Sequence, residues 1–185
     1  MARSRSRRSQ LRMADVSGKR PTVRTAVARC ELKMKPRTLA TVKSGTLPKG
    51  DVWPAAQLAG ILATKKAAEL IPLCHPIPVT HVTLRPALGD GTLAIEAEVK
   101  TTAPTGPEME ALTAVAIAAL TVYDMCKAVE RGIVIQRLYL VSKSGGKSGT
   151  WSHHLLVRRR RTPQRGSRFQ RRQQGVGSGP QQGVG

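Results

Sequence analysis

From Pro107 to Arg131 the chain reads PEMEALTAVAIAALTVYDMCKAVER, twenty-five residues with no glycine and no proline after the first. A segment so long, apolar and free of breakers predicts one helix, around which the remaining elements must be arranged. Pro107 suits the first turn, and Glu108 and Glu110 sit beside the positive end of the helix dipole. Lys127 and Arg131 sit near the negative end, and Gly132 predicts the stop.

At about 100° per residue, Glu110, Thr113, Ala114, Ile117, Thr121 and Asp124 fall on one stripe, with Lys127 one turn beyond Asp124. Thr113, Ala114 and Thr121 are small enough to let another element approach the helix backbone. Two readings remain open here. A covered carboxylate needs a partner and so marks a site; equally, Asp124 and Lys127 form a surface pair on a core helix, which the bulk of Ile117 favours. Glu110 and Asp124 are fourteen residues apart, about 21 Å along the axis at ~1.5 Å per residue. One small substrate does not span that distance. Either one end alone is functional, or a second copy brings its other end to the same pocket, which predicts a homo-oligomer with shared sites.

With 185 residues, 40% hydrophobic and 3% aromatic, the chain supports one aliphatic, alanine-rich core. The net charge of +20 misleads about that core: residues 1–12 hold five arginines and residues 158–185 hold eight, leaving +7 for residues 13–157. The expected organisation is a basic disordered extension (1–12), one domain (13–157) and a disordered Arg/Gln/Gly-rich tail (158–185). Arginines with a single Phe169 and no readout motif support only non-specific attraction to nucleic acid. Residues 1–12 lack the apolar periodicity of a transit peptide, and no uninterrupted apolar run predicts a membrane span. Cys30, Cys74 and Cys126, odd in number and widely spaced, fit a reducing compartment, so the expected location is cytoplasmic.

Period-two alternation predicts strands over 24–34, 79–85, 92–101 and 133–143, the second and third joined by LGDG as a hairpin. A helix is expected over 54–70, ended by Pro72, and the stretch between the first strand and that helix, with its PKGD, reads as loop. The order β-α-β-β-α-β matches the α+β, ferredoxin-like split arrangement: an antiparallel sheet with helices on one face and the other face open to subunit packing.

The loop KSGGKSG at 143–149 fails as a P-loop, because Val141 stands where the first glycine belongs, but it offers accessible amides and two lysines. Leu73-Cys74-His75-Pro76 places a thiol and an imidazole in one turn, suited to acid–base work. Zinc would need further spaced ligands, and only Cys126, His81, His153 and His154 are candidates, so no metal is expected. Asp51 reads as local turn chemistry, leaving Lys49 to meet an anion. Lysines at 49, 127, 143 and 147, carboxylates at 108, 110 and 124 and His75 make an inventory suited to a polyphosphorylated substrate.

Taken together, KGDVWPAAQLAGILATKKAAELIPLCHPIPVTHV, TGPEMEALTAVAIAALTVYDMCKAV, KSGGKSG and the block MADVSGKRPTVRTA resemble the cyclic pyranopterin monophosphate synthase family of molybdenum-cofactor biosynthesis. The resemblance runs from about Met13 to Gly149. It implies a ferredoxin-like subunit in a hexamer built from dimers, with pockets between subunits, and no cofactor. It also implies conversion of 3′,8-cyclo-7,8-dihydroguanosine triphosphate to cyclic pyranopterin monophosphate with loss of pyrophosphate. By the same resemblance Asp124 and Lys127 are the catalytic pair, and Lys49, Leu73, Cys74 and His75 line the pocket. Glu108, Met109 and Glu110 hold the guanine-derived base, Lys143 and Lys147 meet phosphates, and Asp15, Lys19 and Lys65 are further substrate contacts. Pro107 and the arginine-rich ends depart from the family pattern. The rival class is a nucleic-acid binder working through its tails, for which charge is the motive.

Overall fold

Alternation builds the sheet. In β1 (Thr22–Lys33) the side chains of Ala26, Ala28, Cys30 and Leu32 are buried, and in β3 (Thr92–Ala103) those of Leu93, Ile95, Ala97 and Val99, so both strands present one apolar face. They pair antiparallel with Ala28 opposite Ala97. β2 (Val79–Gly89) closes the hairpin with β3, β4 (Val134–Ser144) lies on the other side of β1, and β5 (Trp151–Ser152) pairs with β4. The sheet order is β2-β3-β1-β4-β5, antiparallel throughout. This is the expected α+β ferredoxin-like arrangement with a two-residue strand added at one edge. The computed structural model of the chain describes residues 11–89 and 91–153. Most of the two basic ends, Asp90 in the hairpin turn, residues 154–157 of the expected domain and the candidate ligand His154 lie outside those residues.

The helical layer contains α1 (Pro36–Ser44), α2 (Val52–Thr64), α3 (Ala67–Leu70) and α4 (Glu108–Cys126). α4 packs on β1 and β3, and its Ala111, Ala114, Val115, Ala118, Ala119 and Val122 are all fully buried. Its length and mean hydropathy of 1.5 would suit a membrane span, but half of it is buried inside the fold. The buried cluster holds no aromatic ring among the described residues. Small side chains contribute little apolar area each, so such a core depends on close approach of backbones. Gly60 of α2 provides it: a Cβ there would stand 3.0 Å from the Ala114 carbonyl oxygen and would collide with Leu84. The small residues of the α4 stripe thus admit α2.

The structure corrects several expectations. The stretch between β1 and α2 contains α1, opened by Pro36 and closed by Gly45 in the left-handed region at φ 67°. α2 begins two residues earlier than expected, because the Asp51 side chain accepts from the Trp53 N–H at 3.0 Å and caps it. It ends at Thr64, with α3 as a separate turn. β2 and β3 extend to Gly89 and Ala103, and β4 carries a bulge at Arg137, whose φ is 50°. α4 stops at Cys126 rather than Arg131, since the N–H groups of Val129 and Glu130 both turn back to the Cys126 carbonyl, at 2.9 and 3.0 Å.

Candidate active site

The last turn of α4 meets the loop that leads into α2. Asp124 accepts from Lys127 Nζ at 2.7 Å through Oδ1 and from Lys49 Nζ at 2.6 Å through Oδ2; Lys49 also donates to the Asp124 carbonyl at 3.3 Å. Lys49 reaches this point because the loop is tied down on either side of it. Leu47 is buried, the Gly50 N–H donates to the Leu47 carbonyl at 2.8 Å, and Asp51 caps α2. All three charged side chains are about half exposed, at 46%, 51% and 52%. Pairs so wet contribute little to stability, but a ligand can reach them. The hydrogen bonds from Lys127 and then Lys49 hold the Asp124 carboxyl down at about 2, and Asp124 in turn raises the pKa of Lys127. In the single chain, therefore, Lys127 is a firmly protonated ammonium.

The opposite end of α4 is drier. Glu108 Oε1 accepts from Lys143 Nζ at 2.8 Å, joining the helix start to the end of β4. Glu110 is only 2% exposed; its Oε1 lies 3.8 Å from Cys74 Sγ, and its Oε2 has no hydrogen-bond partner among the described residues. Burial pushes its carboxyl pKa up, and the neighbouring Glu108 charge adds to the effect. The Cys74 thiol faces Glu110 and the His75 carbonyl, 3.6 Å away. Burial and then the Glu110 charge raise its pKa, which argues against a thiolate nucleophile. Asp15 accepts from the Ser17 N–H at 2.9 Å; that bond chiefly lowers its pKa, with a smaller pull from His75. Met109 is half-buried between the two glutamates, and Leu73 is 48% exposed.

α2 runs antiparallel to α4, since Lys49 ahead of α2 meets Asp124 while Gly60 faces Ala114. Lys65, the C-cap of α2, therefore stands toward the Glu108 end. Beside that end opens a cavity of about 800 Å³ lined by Gly18, Lys19, Arg20, Arg24, Gly146 and Lys147 among others. Arg24 organises it, donating to the carbonyls of Ala103 and Pro104 at 3.0 Å each. Gly145 and Gly146, at φ 96° and 70°, lie so close that a Cβ would strike the Val23 carbonyl and the Arg24 guanidinium respectively. Arg20 and Arg24 were not among the residues singled out from the sequence, although both stand in the MADVSGKRPTVRTA block.

The candidate residues thus form two groups. Asp15, Lys19, Cys74, His75, Glu108, Glu110, Lys143 and Lys147 belong to the start of α4 and its cavity; Lys49, Asp124 and Lys127 belong to its end. Among the described residues no group of three or more His, Cys, Asp or Glu side chains is placed to hold a metal ion.

An antiparallel sheet in the order β2-β3-β1-β4 with a helical layer on one face defines a ferredoxin-like α+β protein, and one helix carries an acid–lysine cluster at each of its ends. The chain belongs to the MoaC family, whose model matches residues 13–146. It is 56% identical over 146 residues to a cyclic pyranopterin monophosphate synthase of Thermomicrobium roseum, covering 78% of this chain and 88% of that one. Proteins of the same name from Roseiflexus sp. (strain RS-1) and Pelotomaculum thermopropionicum are 54% and 55% identical over 140 and 146 residues. Those alignments cover 75% and 78% of this chain and 89% and 86% of the relatives.

Proposed function

We propose that this chain is a cyclic pyranopterin monophosphate synthase, a lyase of molybdenum-cofactor biosynthesis. It converts (8S)-3′,8-cyclo-7,8-dihydroguanosine 5′-triphosphate to cyclic pyranopterin monophosphate and pyrophosphate. The observation that carries the reading is the identity of more than half of all positions to proteins of that name across nearly the whole described domain.

Making a cyclic monophosphate from a nucleoside triphosphate requires a sugar hydroxyl to attack the α-phosphorus while the P–O bond to pyrophosphate breaks. Rearranging the base requires protons to be delivered and removed. Asp124 and Lys127 suit the second task. Asp124 is ionised and accepts a proton; Lys127, held protonated by Asp124, begins as the donor. Lys49 beside them offsets charge that develops on oxygen. Glu110 suits the base: its buried, unpartnered Oε2 accepts from an N–H group of the guanine-derived ring, and Glu108 and Met109 flank it. Lys19, Arg20, Arg24 and Lys147, which line the cavity, suit the triphosphate together with Lys143; the reading assigns Asp15, Lys65, Leu73, Cys74 and His75 to further contacts with the same substrate.

The two groups lie about 21 Å apart along α4 at ~1.5 Å per residue, so each working pocket joins the start of α4 from one copy to the end of α4 from another. Leu58, Leu62 and Leu120, exposed at 58%, 51% and 54% on the helical layer, support packing against a second copy. The assembly is a homo-oligomer, a hexamer arranged as a trimer of dimers. Three free thiols accord with work in the cytoplasm. Incubating the purified protein with the cyclic nucleotide triphosphate and measuring pyrophosphate and the pterin product tests the reading. Failure to form either overturns it.

A further inference from the structure

Lys49 and Asp124 come from segments far apart in the chain, and their contact depends on how α1 is held. Lys35, the N-cap of α1, makes no side-chain capping bond, and Pro36 follows it. The cap is supplied from elsewhere. Glu130 Oε2 accepts from the Lys35 N–H at 2.9 Å and from Thr38 Oγ1 at 2.7 Å; Thr38 is fully buried and Glu130 is 8% exposed. A carboxylate at a helix N-terminus satisfies amides that lack partners and complements the dipole.

Both sides of this tie are rigidly continued. Toward α4, the Glu130 N–H bonds the Cys126 carbonyl at 3.0 Å and the Lys127 N–H bonds the Tyr123 carbonyl at 2.9 Å, so Glu130 is fixed to the helix end bearing Asp124. Toward Lys49, the N–H groups of Gly45 and Thr46 close α1 onto Val42 and Thr41, and Leu47 is buried before the turn. Leu39 and Leu47 anchor this segment on the core, but apolar burial is non-directional and does not set its orientation. The two hydrogen bonds to Glu130 do.

We propose that Glu130 is the positioning residue of the Lys49–Asp124–Lys127 cluster, fixing the loop that carries Lys49 against the helix end that carries Asp124. The proposal rests on the reading of that cluster as the reaction centre. It accounts for a buried carboxylate that touches none of the cluster itself.

Three variants test it: Glu130→Ala, Glu130→Gln, which keeps an acceptor, and Thr38→Val, which keeps the shape of Thr38 but removes its hydroxyl. The kinetic readout is pyrophosphate release; the structural one is the titration of Asp124 by carboxylate NMR, assigned with Asp124→Asn. Glu130→Ala should lower kcat by up to about a hundredfold with KM changed by less than about threefold. Thr38→Val should act in the same direction, and Glu130→Gln should recover part of the loss. In the alanine variant the Asp124 midpoint should climb from about 2 toward its ordinary 3.8 as Lys49 drifts away. A wild-type kcat and an unmoved Asp124 midpoint in Thr38→Val, and in Glu130→Ala where that variant folds, overturn the proposal. Wild-type turnover by Asp124→Asn would instead sink the reading of the reaction centre, and the titration still decides whether Glu130 positions the cluster.

Discussion

Asp124 Oδ2 accepts from Lys49 Nζ at 2.6 Å, across seventy-five residues of chain, and thereby turns an ordinary i,i+3 pair with Lys127 into a three-member cluster. The carboxyl sits at about 2 rather than 3.8. A lowered folded-state pKa stabilises the fold above the unfolded value, and that stabilisation is lost as pH falls from about 3.8 to about 2. Lys127 has the opposite sign: its contribution is present below 10.5 and fades as pH rises beyond it. Asp124→Asn should therefore lower the melting temperature modestly at neutral pH and leave it unchanged near pH 2, which flattens the acid-side fall. Thermal melts from acid to neutral pH check this, and an unaltered acid limb would contradict it.

Glu110 behaves inversely. Its folded-state pKa lies above 4.5, so the fold prefers the protonated acid, and ionisation destabilises the protein as pH rises through 4.5 and beyond. Glu110→Gln removes the buried charge. It should raise the melting temperature at neutral pH, with the gain vanishing below 4.5, while substrate binding weakens through the lost acceptor. Calorimetry at both pH values, with KM measured alongside, tests the pair of effects.

Gly60→Val would push α2 away from Ala114 and Leu84. Overpacking of this kind costs on the order of 1–3 kcal/mol. A lowered urea midpoint with an unchanged slope is the expected result.

If each pocket takes one half from each of two copies, two inactive variants should rescue one another. Glu110→Ala and Asp124→Ala, unfolded and refolded together, should regain about a quarter of wild-type pyrophosphate release, because random mixing leaves both halves intact in about that share of sites. A mixture as inactive as its components would show that each site is built within a single chain.

Much of this was legible in the residues. Alternation located β1 and β3, because one face of each strand is buried and the other is not; LGDG located the hairpin; and Pro107 with Glu108 and Glu110 located the start of α4. Other elements left weaker signals. α1 buries only Thr38 and Leu39, too little periodicity to outweigh the reading of its neighbourhood as loop, although Pro36 and Gly45 bracket it. The end of α4 was set too late because Glu130 is turned inward to a partner ninety-two residues away. No local pattern reveals such pairings. For the same reason the residue types at 49, 108, 124 and 143 could be picked out while their partners could not. Lys49–Asp124 and Glu108–Lys143 exist only once the sheet and the α2–α4 contact are formed.

The central claim is that the Asp124–Lys127 pair carries the reaction. The direct measurement is pyrophosphate release from the cyclic nucleotide triphosphate by the wild-type chain, Asp124→Asn and Lys127→Ala, each shown by circular dichroism to be folded. Steady release by the wild type and a loss of at least about a hundredfold in both variants is the expected result. Release at the wild-type rate by either variant would contradict it.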